Sequence, residues 1–350
     1  MLKRHLLTIS IISVFSSCYA SDLPNIKILA TGGTIAGTAP SETQMTGYKA
    51  ADLAIETLLK AVPALNDIAN VSGEQFIKLS SQNMTDEIML SLAKRCNELL
   101  LDPSVKGIVI THGTDTLEET AYFLNLTVKS KKPVVIVGSM RPATALSADG
   151  PLNLFNAVKI AASDKAIGKG VLVAMNDEIN GARDVTKTNT STASTFKAPE
   201  LGLLGYMAAG KPEFLKSSEK KHTYNSEFDI QKLDKLPRVD IVYSYVNADG
   251  VAVDAFSKAG AKGIILAGTG NGSMHDNAFP SLAKASESGI VVVRSARTGN
   301  GMVTISHQEW ADAGLLEGNT LNPQKARILL QLALTKTKDL KEIQRIFNEY

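Results

Sequence analysis

Most of the side chains in this 350-residue chain that could do chemistry fall in five short segments: TGGTIAG (31–37), SSQNM (80–84), THGTDT (111–116), GSMRPATALSADG (138–150) and NDEINGARDVTKTNT (176–190). Hydroxyls and amides dominate them. An alcohol such as Thr34 or Thr114 is a weak nucleophile at neutral pH and needs a base. Histidine is a poor source of one: the chain has five histidines, one of them His5 near the N-terminus, and no H-E-x-x-H, no C-x-x-C and no local Ser-His-Asp signature. Zinc hydrolases and histidine-dependent serine hydrolases are therefore disfavoured, and His112, inside THGTDT, reads as a hydrogen-bonding orienter. A lysine can replace histidine where burial lowers its pKa and a carboxylate orients it. Lys187 and Asp115 supply those types, although spacing alone does not set Lys187 apart from a surface lysine.

The glycines around Thr34 raise a second possibility, a phosphate cradle. Gly32, Gly33 and Gly37 do not follow G-x-G-x-x-G, and Thr38 stands where a P-loop has lysine. The later cluster GTGNGS (268–273) has alternating glycines and no clear helix start behind it. Phosphate binding is disfavoured. What remains is a tight turn that exposes Thr34 and lets a substrate approach the backbone.

The elements that would carry these segments alternate. IKILA, FIKLS, GIVIT, PVVIVG and GVLVAM read as strands, and ADLAIETLLKAV, DEIMLSLAKRCNELL, LEETAYFLNLTV and ADGPLNLFNAVKIAAS as helices, the third with Leu117, Ala121, Leu124 and Val128 on one face. Such alternation implies a parallel sheet covered on both faces, with ligands beyond the carboxyl ends of the strands, where the five segments lie. The pattern is expected to run to about Lys211, followed by a polar stretch and then VDIVYSYV, KGIILAG, IVVVRSA and two terminal helices. The expected class is α/β: a larger N-terminal domain (21–212) on a mostly parallel, doubly wound sheet, a linker (213–237), and a smaller C-terminal α/β domain (238–350) with a parallel sheet.

Bulk properties narrow the partners. Lysine plus arginine (37) nearly balances aspartate plus glutamate (35), and no basic block appears, so nucleic acid and anionic membranes are poor candidates and a small neutral or zwitterionic ligand fits better. Residues 1–20 have the layout of a secretory signal peptide, with Lys3 and Arg4 ahead of an apolar run and small residues ending at Ala20. That run is too short to span a bilayer, and no later segment reaches the length required. Cleavage there removes two bases and no acid. A rival reading makes Cys18 a lipidated cysteine; on either reading Cys96 is left alone, so no internal disulfide can form.

ILATGGTIAG together with ITHGTDTLEETAYFL resembles the two signature segments of bacterial type II (periplasmic) L-asparaginases, and the similarity extends through MRPATALSADGPLNL, MNDEINGARDVTKTNT, GTGNGS and LNPQKARILLQLALTKT. The resemblance implies hydrolysis of L-asparagine to L-aspartate and ammonia, without cofactor or metal, in the periplasm, by a homotetramer whose sites are shared between subunits. It makes Thr34 the nucleophile, Tyr48 its hydrogen-bonding lid-loop partner, and Thr114, Asp115 and Lys187 the second threonine with its acid and base. It gives Ser81 and Gln82 the α-carboxylate and α-amino groups of the substrate, with Asp115 also facing the amino group. Ser273 takes the place of an asparagine common in the family. Glu309, in ISHQEWADAG, is the candidate for the acidic residue supplied by a neighbouring subunit. Two rivals stay open: a dual glutaminase-asparaginase, against which Gln82 speaks because strongly glutaminolytic members tend to carry glutamate there, and a periplasmic amino-acid binding protein, which needs no paired threonines with a lysine.

Overall fold

The computed structural model describes residues 23–350; the signal-peptide and Cys18 readings lie outside the described residues. The first five strands are β1 (Asn25–Gly32), β2 (Asn70–Leu79), β3 (Val105–Thr111), β4 (Val134–Val137) and β5 (Val171–Met175), joined by α1 (Ile55–Lys60), α2 (Asp86–Leu101), α3 (Leu117–Thr127) and α4 (Gly150–Ala162). They pair in parallel in the order β2-β1-β3-β4-β5. Apolar residues on both faces explain why: Ile26, Ile28 and Ala30 pack with residues of α1 and α4, while Leu29 joins the cluster containing α2 and α3. The first connection leaves β1 for one neighbour and the chain then returns past it to β3. That reversal opens a crevice at the carboxyl ends of β1 and β3.

Beyond Met175 the structure departs from the expected alternation. The chain folds into β6 (Glu178–Gly181), β7 (Thr186–Lys187), β8 (Phe196–Lys197), β9 (Gly205–Ala208) and β10 (Lys211–Phe214), of which β6, β9 and β10 extend the sheet antiparallel and β7 and β8 form a separate ribbon. Asn176–Asp177 and Ala209–Gly210 make two-residue turns with both residues at positive φ, which suits the twist of antiparallel strands and leaves no room for a crossover helix. The stretch expected as one helix over 51–62 is helical only at Ile55–Lys60, and Pro63 then opens a separate 3-10 turn. α3 is buried on nearly every side rather than along one stripe, because a helix of the second domain covers the face turned away from its own sheet.

The second sheet is parallel, in the order β11 (Val239–Tyr243), β12 (Gly263–Gly268), β13 (Val291–Ala296), β14 (Leu316–Glu317), with α5 (Val251–Lys258), α6 (Phe279–Glu287) and α7 (Gln308–Asp312) between them and α8 (Pro323–Leu334) and α9 (Leu340–Glu349) following. α5 to α7 supply an outer core of their own, whereas α8 and α9 share one cluster with α2 and α3. Arg327 and Gln331 of α8 reach Asp86 of α2 at 3.2 and 2.7 Å. The segment expected as a linker begins inside β10 and is anchored at Phe228 and Ile230, both buried.

Candidate active site

A cavity of about 760 Å³ opens at the strand ends of the crevice and is lined by Thr34, Tyr48, Ser81, Gln82, Thr114, Asp115 and Lys187 together with Arg141 and parts of two loops. Glycine makes this convergence possible. Gly33 sits at φ 82° and ψ −169°, a region open to little but glycine, and a Cβ on it would lie 2.3 Å from Gly113 Cα. A Cβ on Gly113 would in turn lie 2.6 Å from Ser81 Oγ. Two bare backbones thus stack the turns after β1, β2 and β3 against one another. Thr31 Oγ1 adds a bond to Thr111 O at 2.8 Å, and Asp115 N and Thr116 Oγ1 bond Ser81 Oγ and Ser81 O at 3.2 and 2.8 Å.

Each threonine hydroxyl has a separate partner. Thr34 Oγ1 lies 2.6 Å from Tyr48 Oη. Tyr48 is brought there by the loop 38–49, closed by reciprocal bonds between Thr38 and Lys49 at 2.9 Å and held from outside by Ala143 N to Gly37 O and Leu146 N to Glu42 O, both 2.8 Å. On the other side, Lys187 Nζ donates to Thr114 Oγ1 at 3.0 Å and to Asp115 Oδ1 at 2.7 Å. The Lys187 side chain is only 17% exposed, against 60% for Asp115, so the carboxylate faces both the ammonium and the open cavity. Lys187, without local distinction in the sequence, joins the two threonine turns only through the hairpin excursion after β5.

His112 does not line the cavity. It is fully buried, its Nδ1 lies 2.7 Å from Gly113 O, and burial pushes its imidazole down to about 4, so it is neutral at pH 7. Ser273 and Glu309 are not brought to the cavity of this chain: Ser273 closes a tight turn onto Thr269, and Glu309 lies exposed on α7. Sequence reasoning assigned no role to Arg141, which donates to Ser147 O at 2.8 Å. Its signal was the ADG of the same segment: Asp149 accepts from Met140 N and Arg141 N at 2.9 and 3.0 Å and so folds the loop that presents the guanidinium.

Hydroxyls at adjacent parallel-strand ends, one beside a phenol and one beside a lysine–carboxylate pair, form a site suited to acyl transfer at a small polar substrate. The chain belongs to the asparaginase family: residues 25–220 match "Asparaginase, N-terminal" and residues 238–347 match "Glutaminase/Asparaginase C-terminal domain". It is 57% identical to L-asparaginase 2 of Bacillus subtilis over 97% of this chain and 90% of the relative. It is 54% identical to a probable periplasmic L-asparaginase of Haemophilus influenzae over 95% and 94%. The crystal structure of a probable cytoplasmic L-asparaginase from Campylobacter jejuni superposes with a TM-score of 0.91 at 50% identity, covering 93% of this chain and 100% of that one.

Proposed function

We propose that the protein hydrolyses L-asparagine to L-aspartate and ammonia with Thr34 as nucleophile. The observation that carries this reading is the pair of threonine hydroxyls, Thr34 on Tyr48 and Thr114 on Lys187, in one cavity. Thr34 Oγ1 forms a bond to the side-chain amide carbon while its proton is relayed through the Tyr48 hydroxyl, which takes it up as it gives its own phenolic proton to the amide nitrogen. The oxyanion is met by backbone N–H groups of the glycine-flanked turns. The C–N bond then breaks, ammonia leaves with the relayed proton, and water, deprotonated through Thr114 and Lys187, opens the Thr34 ester to release aspartate. As an ammonium Lys187 can only donate to Thr114; it accepts a proton after handing one of its own to Asp115. Ser81, Gln82 and Asp115 hold the α-carboxylate and α-amino ends, which fixes the amide near Thr34. Ser273 and Glu309 act in the cavity of a neighbouring subunit of a homotetramer.

Thr34→Ala removes the nucleophile and leaves the substrate's anchoring groups in place. Ammonia release is expected to vanish while aspartate still binds; unchanged release from this variant refutes the assignment. A dual-substrate reading draws support from the family description of residues 238–347, which names both activities. One methylene separates the substrates, worth about 1–3 kcal/mol in a pocket, so minor glutamine turnover is expected, and side-by-side kcat/KM on the two amides decides the preference. Family membership leaves no support for a pure binding protein. We further propose export to the periplasm through cleavage after Ala20, tested by the intact mass of the mature protein.

A further inference from the structure

Lys325 lies in the first turn of α8, is 1% exposed, and donates through its ammonium to the main-chain oxygens of Arg183, at 2.8 Å, and Val185. Glu118 of α3 stands 3.8 Å away as its counter-charge and accepts from Gln324 at 2.9 Å and from Asn322 at 3.4 Å. Arg183, Asp184 and Glu119 are the other charged groups acting on it. On stability grounds a lysine is a poor choice here. Burial pulls its ammonium down to about 8, the positive end of a helix opposes a cation in its first turn, and an apolar residue often replaces a buried ion pair without loss.

What the lysine gains is a grip on one particular stretch of chain. The two carbonyls it holds precede Lys187 by four and two residues. Lys187 itself sits on the ribbon β7–β8, with two residues per strand, too short to fix its own direction. Thr188 and Thr195 close the ribbon on itself just beyond Lys187, and its direction relative to the sheet is taken from its root, where Arg183 also donates to the main-chain oxygen of Tyr350 at 2.6 Å.

We infer that Lys325 is a positioning residue for the site: by clamping the Arg183 and Val185 carbonyls from the C-terminal domain, it aims Lys187 at Thr114 and Asp115. This rests on the role proposed for Lys187. It also makes the seam between the two domains part of the machinery of the site.

The test uses the purified full chain and three variants. In Lys325→Met, kcat for ammonia release is expected to fall about 100-fold, the loss that goes with roughly 1 Å of misplacement. KM and aspartate affinity should change far less than kcat, since Ser81, Gln82 and Asp115 lie on other strand ends, and the pH–rate profile, which reports the acid and base of the site, should shift. Glu118→Gln keeps both carbonyl bonds, so it should lower Tm while sparing kcat and the pH profile. A Lys325→Met enzyme with parental kcat and pH profile, or a Glu118→Gln enzyme as impaired in kcat as Lys325→Met, overturns the inference. Should Lys325→Met fail to fold because Glu118 is left buried and unpaired, the double variant Glu118→Gln/Lys325→Met removes both charges: a fall in its kcat with a shifted pH profile supports the inference, and parental values of both overturn it. An active Lys187→Met sinks the proposed mechanism itself, whereas an inactive Lys187→Met beside an unaffected Lys325→Met sinks the positioning role alone.

Discussion

Replacing Gly33 by alanine tests whether the stacked glycine turns hold the site together. The new Cβ would stand 2.3 Å from both Gly113 Cα and Gly113 N and 2.8 Å from His112 C, and all three are backbone atoms that cannot rotate away. Ordinary carbon contacts lie at about 3.5–4.0 Å, so the turn after β1 must retreat by about 1 Å or more. Two costs add. Holding alanine at the φ and ψ of Gly33 costs about 1–3 kcal/mol, and the overlap costs about 1–3 kcal/mol more. With an unfolding entropy of about 0.7 kcal/mol/K for a chain of this size, the sum of about 2–6 kcal/mol lowers Tm by about 3–9 °C. The effect on turnover is larger, because a retreat of about 1 Å separates Thr34 from Tyr48 and from the Thr114 turn and costs about 100-fold in kcat. Gly289 supplies the control: at φ 84° it carries a similar φ, yet a Cβ there meets nothing within 4 Å. Gly289→Ala should carry the cost of a positive φ without the overlap and keep full activity. Ammonia release and thermal melts on both variants make the comparison. If Gly33→Ala matches Gly289→Ala in both kcat/KM and Tm, the close approach of the turns does not position the site.

The buried His112 makes stability fall on acidification. Its pKa is about 4 in the fold and near the ordinary 6.5 in the unfolded chain, so its contribution is complete above pH 6.5 and is lost as pH falls from there toward 4. The loss is about 3 kcal/mol, and urea melts across that range should flatten in His112→Gln. Cys96 is fully buried with its thiol pushed up to about 12, so a thiol reagent at pH 8 should leave it untouched in the native enzyme and modify it on denaturation.

Among the elements, the sequence was most legible where hydrophobic runs met glycine. β1, β3 and β5 are β-branched or aliphatic segments followed by glycine or turn residues, and their strand ends could be read as the place for chemistry before any fold was known. The hairpins after Met175 were missed because four-residue strands carry too little periodicity to announce themselves, although Asn176–Asp177 marked the turn. α3 misled in the opposite direction: its apolar stripe is real, but α8 buries the remaining face, and no local pattern reports a helix more than 200 residues away.

By itself, the sequence determined residue types and local geometry: hydroxyls in glycine turns, a chain poor in histidine, apolar strands in the order of a parallel α/β sheet, and a family resemblance covering both domains. Only the tertiary structure decided which of those hydroxyls meet, how the hairpin excursion carries Lys187 to Thr114 and Asp115, that His112 lies beneath the site instead of in it, and that Lys325 reaches across the domain seam. The reason is the range of the forces. Backbone conformation and hydrophobic period act over a few residues and are written locally, whereas a hydrogen bond between side chains 73 positions apart exists only after the sheet has ordered its strands.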